Sequence, residues 1–246
     1  MSSPVLLVAF LCGLLPALLW LSFWLFEDKK NPEPKRYIFF TFLAGMLIVL
    51  PFPFGNYTFG LVLDLEKLVQ TQAIAVGYPA QGLLVLFFWA AIEETFKFAA
   101  AYIAALHWRV FDEPLDAVVY MITAALGFAA AENMLFLASP IAQGQVVQTI
   151  ITGDLRFVGA TLLHTLSSAT VGLILAYSFR LGAKARRKAA VVGVILATAL
   201  HTVFNFFILA KGGSATFLVF FFLWIGIVAL LLFIERIKRP AYTYGR

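Results

Sequence analysis

Seven stretches of this chain are apolar over membrane length, at about 4–26, 37–54, 82–107, 114–138, 157–180, 189–210 and 214–234. A spanning helix needs ~20 apolar residues, and inside lipid a chain must satisfy its own backbone hydrogen bonds. Only 13% of the 246 residues are charged and 62% are hydrophobic, with a mean hydropathy of +0.93. Soluble domains carry about 25% charged residues. The expected fold is therefore an all-α polytopic membrane protein of about seven transmembrane helices, forming one integral membrane domain over residues 1–246.

Loop charges orient the bundle. Lys29, Lys30, Lys35, Arg36, Arg109, Arg180, Lys184, Arg186, Arg187, Lys188, Arg236, Lys238, Arg239 and Arg246 all fall on one side if seven spans alternate. Lys67, Arg156 and Lys211 fall on the other. The positive-inside rule then puts the amino end outside and the carboxyl end in the cytoplasm. The first segment lacks a preceding basic region and reads as a retained anchor rather than a cleaved signal. The net charge of +5 resides in these short loops, so it indicates a lipid surface as partner and no nucleic acid. Cys12 is the sole cysteine, which excludes an intramolecular disulfide and a thiolate metal site. Residues 55–81 are apolar but too charged to span, and read as an interfacial helix, either a connector or a gate.

Four of the apolar segments carry side chains that lipid excludes: Glu93, Glu94 and Lys97; Glu132 and Asn133; His164; and His201 with Asn205. One charge at the bilayer centre costs about 2.5–3.5 kcal/mol on insertion scales, so a shared polar site is expected. At ~1.5 Å per residue, Glu93, Glu132, His164, His201 and Asn205 lie about 16, 9, 11, 14 and 8 Å below the outer surface. Successive helical residues point about 100° apart, so Lys97 can hold one of Glu93 and Glu94 while the other stays free. Glu132 has no cation within a helical turn and must be protonated or find a partner on another helix. His164 sits among Thr161, Thr165, Ser167 and Ser168, any of which is a local partner. Asp116 marks the cytoplasmic mouth of the fourth segment as an interface residue.

No Gly-x-Ser-x-Gly or His-Glu-x-x-His motif occurs, and no pair of membrane aspartates. The remaining set is carboxylate, imidazole and amide. It suits hydrolysis by a glutamate-activated water, with His201 and Asn205 donating to the oxyanion and no cofactor required. Glu93, Glu132, His164 and His201 are alternatively ligands for a divalent metal such as zinc. A proton-coupled transporter or channel, or a non-catalytic scaffold, is a further alternative from the same residues.

Glu93-Glu94-x-x-Lys97, Phe128-x-x-x-Glu132-Asn133, His164 and His201-x-x-x-Asn205, in that order on successive helices, resemble the PrsW intramembrane proteases. Those belong with the CAAX prenyl endopeptidases in one superfamily, and the resemblance spans residues 82–210. It implies Glu93 as the water-activating base, Glu94 and Lys97 as its support, and His201 with Asn205 on the oxyanion side. It leaves Glu132 where the CAAX enzymes have His, and keeps the metal option open. It further implies a single-pass membrane substrate such as an anti-sigma factor, cut on the extracytoplasmic side of a bacterial cytoplasmic membrane.

Overall fold

Long apolar runs leave the backbone to bond only to itself, and this chain does so as helices. The computed structural model describes residues 3–27, 31–49, 79–211 and 213–238. Its helices are α1 (Ser3–Glu27), α2 (Lys35–Val49), α3 (Pro79–Ala101), α4 (Pro114–Ala142), α5 (Val146–Leu155), α6 (Thr161–Ser178), α7 (Ala183–Lys211) and α8 (Gly213–Lys238). A π-helical turn, Tyr102–Leu106, extends α3, and another, Arg156–Ala160, joins α5 to α6. The proposed interfacial helix lies, but for its last few residues, outside the described residues.

Five helical rods are long and apolar enough to cross a membrane: α1, α4, the continuous Val146–Ser178 rod, α7 and α8. The other two expected spans fall short among the described residues. Helix α2 has 15 described residues, and α3 carries Glu93, Glu94 and Lys97 in its C-terminal half. The fifth span also starts earlier than its hydropathy indicates. Its rod begins at Val146 because α5 continues through the π turn instead of ending in a loop.

Helix α4 is the axis of the bundle. Its membrane-length window is 94% buried, against 22% for α1 and for α8, so the outer helices face lipid and α4 faces protein. Helices α1, α2 and α6 pack directly on it, while α7 bridges α6 and α3. Proline at the first helical position and a reciprocal Glu113–Asp116 capping box start α4. Asp116 accepts from the backbone N–H of Asp112 (2.9 Å) and Glu113 (2.8 Å). Its side chain is buried within the protein.

Small residues let the helices approach. A Cβ on Gly45 would lie 2.1 Å from the Ala124 carbonyl oxygen, and one on Gly127 would lie 2.0 Å from that of Phe42. Both are backbone contacts at the α2–α4 crossing, so neither can yield by a rotamer change. Gly127→Val is expected to lower stability by at least about 1–3 kcal/mol, the usual overpacking range. Gly153→Ala, with nothing within 4 Å of the added methyl, is expected to leave stability near wild type. Thermal unfolding of the two purified variants in one detergent checks this pair.

Candidate active site

The polar residues of α3, α4, α6 and α7 meet in one buried network. Lys97, fully buried, donates to Glu94 Oε1 at 2.6 Å and to His164 Nδ1 at 2.8 Å. Its ammonium lies 4.8 Å from the centroid of Phe128, which also packs against the His164 ring. A lysine ammonium has only donors, so His164 Nδ1 is the acceptor. The His164 proton therefore sits on Nε2, which donates to Glu132 Oε2 at 2.9 Å.

Glu94 is the hub of this network. Besides Lys97 it accepts from His201 Nδ1 (2.8 Å), Ser167 Oγ (2.9 Å) and Ser168 Oγ (3.4 Å). Four side-chain donors thus converge on one buried carboxyl group. His201 uses its Nδ1–H on Glu94, and its Nε2 lies 3.8 Å from Glu93 Oε2. Glu93 itself is 6% exposed, and its Oε2 is buried with no hydrogen-bond partner among the described residues. Lys97 is 4.0 Å from it, beyond hydrogen-bond reach. So α3 presents one anchored glutamate and one unanchored, about a quarter-turn apart.

The partner of Glu132 is Arg156, which sequence reading left among the outer loop cations. Arg156 stands at the start of the π turn, donates through Nη2 to Glu132 and through Nε to Asn133 Oδ1, and covers the Phe136 ring at 4.0 Å. Asn133 also donates to Thr161 Oγ1 at 3.1 Å. The hydroxyls near His164 do not satisfy its ring. Thr161 receives Asn133, Thr165 bonds the Thr161 carbonyl, and Ser167 and Ser168 turn to Glu94. The available signal for Arg156 was a Glu132 without a local cation and a lone arginine immediately before the expected span 157–180.

A cavity of about 660 Å³ opens on this network. Glu93, Glu132, Arg156, His164, His201 and Asn205 line its polar end, and Trp89, Phe136, Phe204 and Phe220 are among its apolar walls. Glu94, Lys97, Phe128 and Asn133 stand behind that wall. Glu93, His164 and His201 each offer a ligand atom, all within 4.8 Å of one another. Glu132 is not in that cluster.

A helical bundle that buries carboxylates, imidazoles and a lysine beside an apolar cavity defines a polytopic membrane protein with an internal polar site. The chain belongs to the PrsW family of intramembrane proteases: the family described as "PrsW family intramembrane metalloprotease" matches residues 33–232. It is 31% identical over 199 residues to Protease PrsW of Geobacillus kaustophilus (strain HTA426), covering 81% of this chain and 79% of that protein. It is 26% identical over 214 residues to Protease PrsW of Bacillus subtilis (strain 168), covering 86% and 88%. No solved structure matches the chain. Family membership selects the protease over the transporter and scaffold readings.

Proposed function

We propose that this protease hydrolyses a peptide bond of a membrane-anchored protein with water activated by Glu93. Glu93 lines the cavity and its buried Oε2 has no hydrogen-bond partner among the described residues, and this carries the reading, since a carboxylate oxygen without a donor is an open acceptor. Water gives its proton to Glu93 as its oxygen bonds to the scissile carbonyl carbon. The carbonyl oxygen becomes an oxyanion, and Glu93 then returns the proton to the departing amide nitrogen as the C–N bond breaks. Asn205, one turn from His201 on the cavity wall, supplies a direct oxyanion donor. Glu94 holds the His201 ring in place.

A second reading is favoured by the Glu93–His164–His201 cluster. The three residues suit a divalent ion such as zinc: Glu93 Oε2 lacks a partner, and His201 offers a neutral Nε2 oriented by a carboxylate behind it. His164 would have to exchange one of its two ring hydrogen bonds. Three carboxylates against the two cations Lys97 and Arg156 also leave one negative charge for an ion or a proton to balance. A bound ion would supply an acidified water and a polarised carbonyl.

Chelation and elemental analysis of the purified protein separate the two readings. Loss of cleavage together with bound divalent metal, and recovery on adding metal back, is the outcome expected of the metal reading. Full cleavage by metal-free protein is the outcome expected of Glu93 acting alone.

The loop charges further support an outward-opening cavity in a bacterial cytoplasmic membrane. A single-pass protein cut on its extracytoplasmic side, such as an anti-sigma factor, is the substrate class that fits. Co-expression of candidate single-pass proteins with wild type and with Glu93→Gln tests it. Accumulation of a shortened product only with the wild type is the expected result.

A further inference from the structure

A peptide bond inside a helix is shielded by its own hydrogen-bond ladder, so a membrane segment has to unwind before water reaches the scissile carbonyl. Each unwound residue then brings an unsatisfied C=O and N–H into the cavity. The apolar walls of this cavity provide little for them.

Arg156 provides donors. A guanidinium has five N–H groups in a fixed fork. In this structure Nε–H goes to Asn133 and one Nη2–H to Glu132, with one face of the group over Phe136. Three N–H groups remain without an acceptor among the described residues. The side chain is 14% exposed and lines the cavity beside Glu132 and His164. Its charge is already balanced by Glu132, so a substrate carboxylate is not its natural ligand. Neutral carbonyl oxygens are, and the contacts to Glu132, Asn133 and Phe136 hold the fork still while it receives them.

We propose that Arg156 is a substrate-anchoring residue, whose free N–H groups take backbone carbonyls of the unwound segment next to the scissile bond. This rests on the protease reading above. It assigns a binding role to a residue outside the polar motifs recognised in the sequence.

The test uses the full chain and a quenched-fluorophore peptide bearing one apolar membrane segment. Arg156→Lys keeps a cation for Glu132 but loses the fork. It is expected to raise KM about tenfold with kcat within about threefold, as loss of a charge-assisted hydrogen bond to bound substrate predicts. In the Glu93→Gln background, Arg156→Lys is expected to weaken peptide affinity by a similar factor, read by fluorescence anisotropy without turnover. The paired change Glu132→Gln with Arg156→Gln removes both charges together and keeps the affinity measurement available if Arg156→Lys folds poorly. The same loss of affinity is expected there.

A peptide cut by wild type, with KM and affinity unchanged in Arg156→Lys, overturns the anchor alone. A fall in kcat without a change in KM or affinity also overturns it, and makes Arg156 a positioning residue acting through Glu132. A peptide bound in an Arg156-dependent way but left intact by wild type overturns the protease reading and leaves the anchor standing.

Discussion

Glu93→Gln is expected to abolish cleavage while the protein still folds and inserts. The substitution keeps the shape of the side chain and removes only its capacity to take a proton. Positioned general bases contribute typically about 10²–10⁴-fold, so residual turnover should fall at least that far. Folding should survive because Glu93 Oε2 has no hydrogen-bond partner among the described residues to lose. The measurement is the cleavage rate of a membrane-anchored reporter beside the thermal midpoint in detergent. Wild-type turnover in Glu93→Gln would remove Glu93 as the base, whichever role a metal plays. Glu94→Gln is a useful contrast, since it weakens the hydrogen bonds from Lys97, His201, Ser167 and Ser168 and should lower the midpoint as well.

The second large effect is on stability. Lys97→Met is expected to prevent accumulation of folded protein, or to lower its midpoint severely. Lys97 is fully buried, 2.6 Å from Glu94 and 2.8 Å from His164, and it lies against Phe128. Removing one partner of a buried pair leaves an uncompensated charge and costs about 3–5 kcal/mol. Total stabilities are typically about 5–15 kcal/mol, so the loss takes a large share. The double variant Glu94→Gln with Lys97→Met removes both charges and should recover much of the folded yield. Its activity should stay lost, because His201 no longer has the carboxylate that orients its ring. Detergent extraction, size-exclusion profiles and thermal unfolding of the three proteins check this. Equal destabilisation in the single and double variants would show that the Lys97–Glu94 pair is not what holds the site together.

The helical content and the membrane setting were legible in the chain because both follow from local composition. An apolar run of membrane length leaves a backbone few choices in lipid. The polar residues that meet at the candidate site were legible for a related reason: a charge in such a run is costly enough to need a purpose. The division of labour between Glu93 and Glu94 also had a local basis in the angle between adjacent helical residues. Which of the two Lys97 holds was left open, and the tertiary network decides it by placing His201, Ser167 and Ser168 around Glu94.

Other features depended on how helices turn relative to one another. Hydropathy placed Arg156 in a loop, but the π turn carries it onto the face of α4, where Glu132, Asn133 and Phe136 receive it. His164 had four hydroxyl neighbours in sequence, and its ring bonds to residues 67 and 32 positions away instead. The closeness of α2 to α4 depends on Gly45 and Gly127 meeting at one crossing, a match between two distant positions.

By itself, then, the sequence determined that this protein is a helical membrane bundle and which costly side chains it keeps inside. Those properties are written in segment length, hydropathy and the insertion cost of charge, which need no knowledge of neighbours. Only the tertiary structure decided which of those side chains are anchored and which stay open. Helix rotation and the π turn assign Lys97 to Glu94 and Arg156 to Glu132, and leave Glu93 lining the cavity with no hydrogen-bond partner for its Oε2 among the described residues.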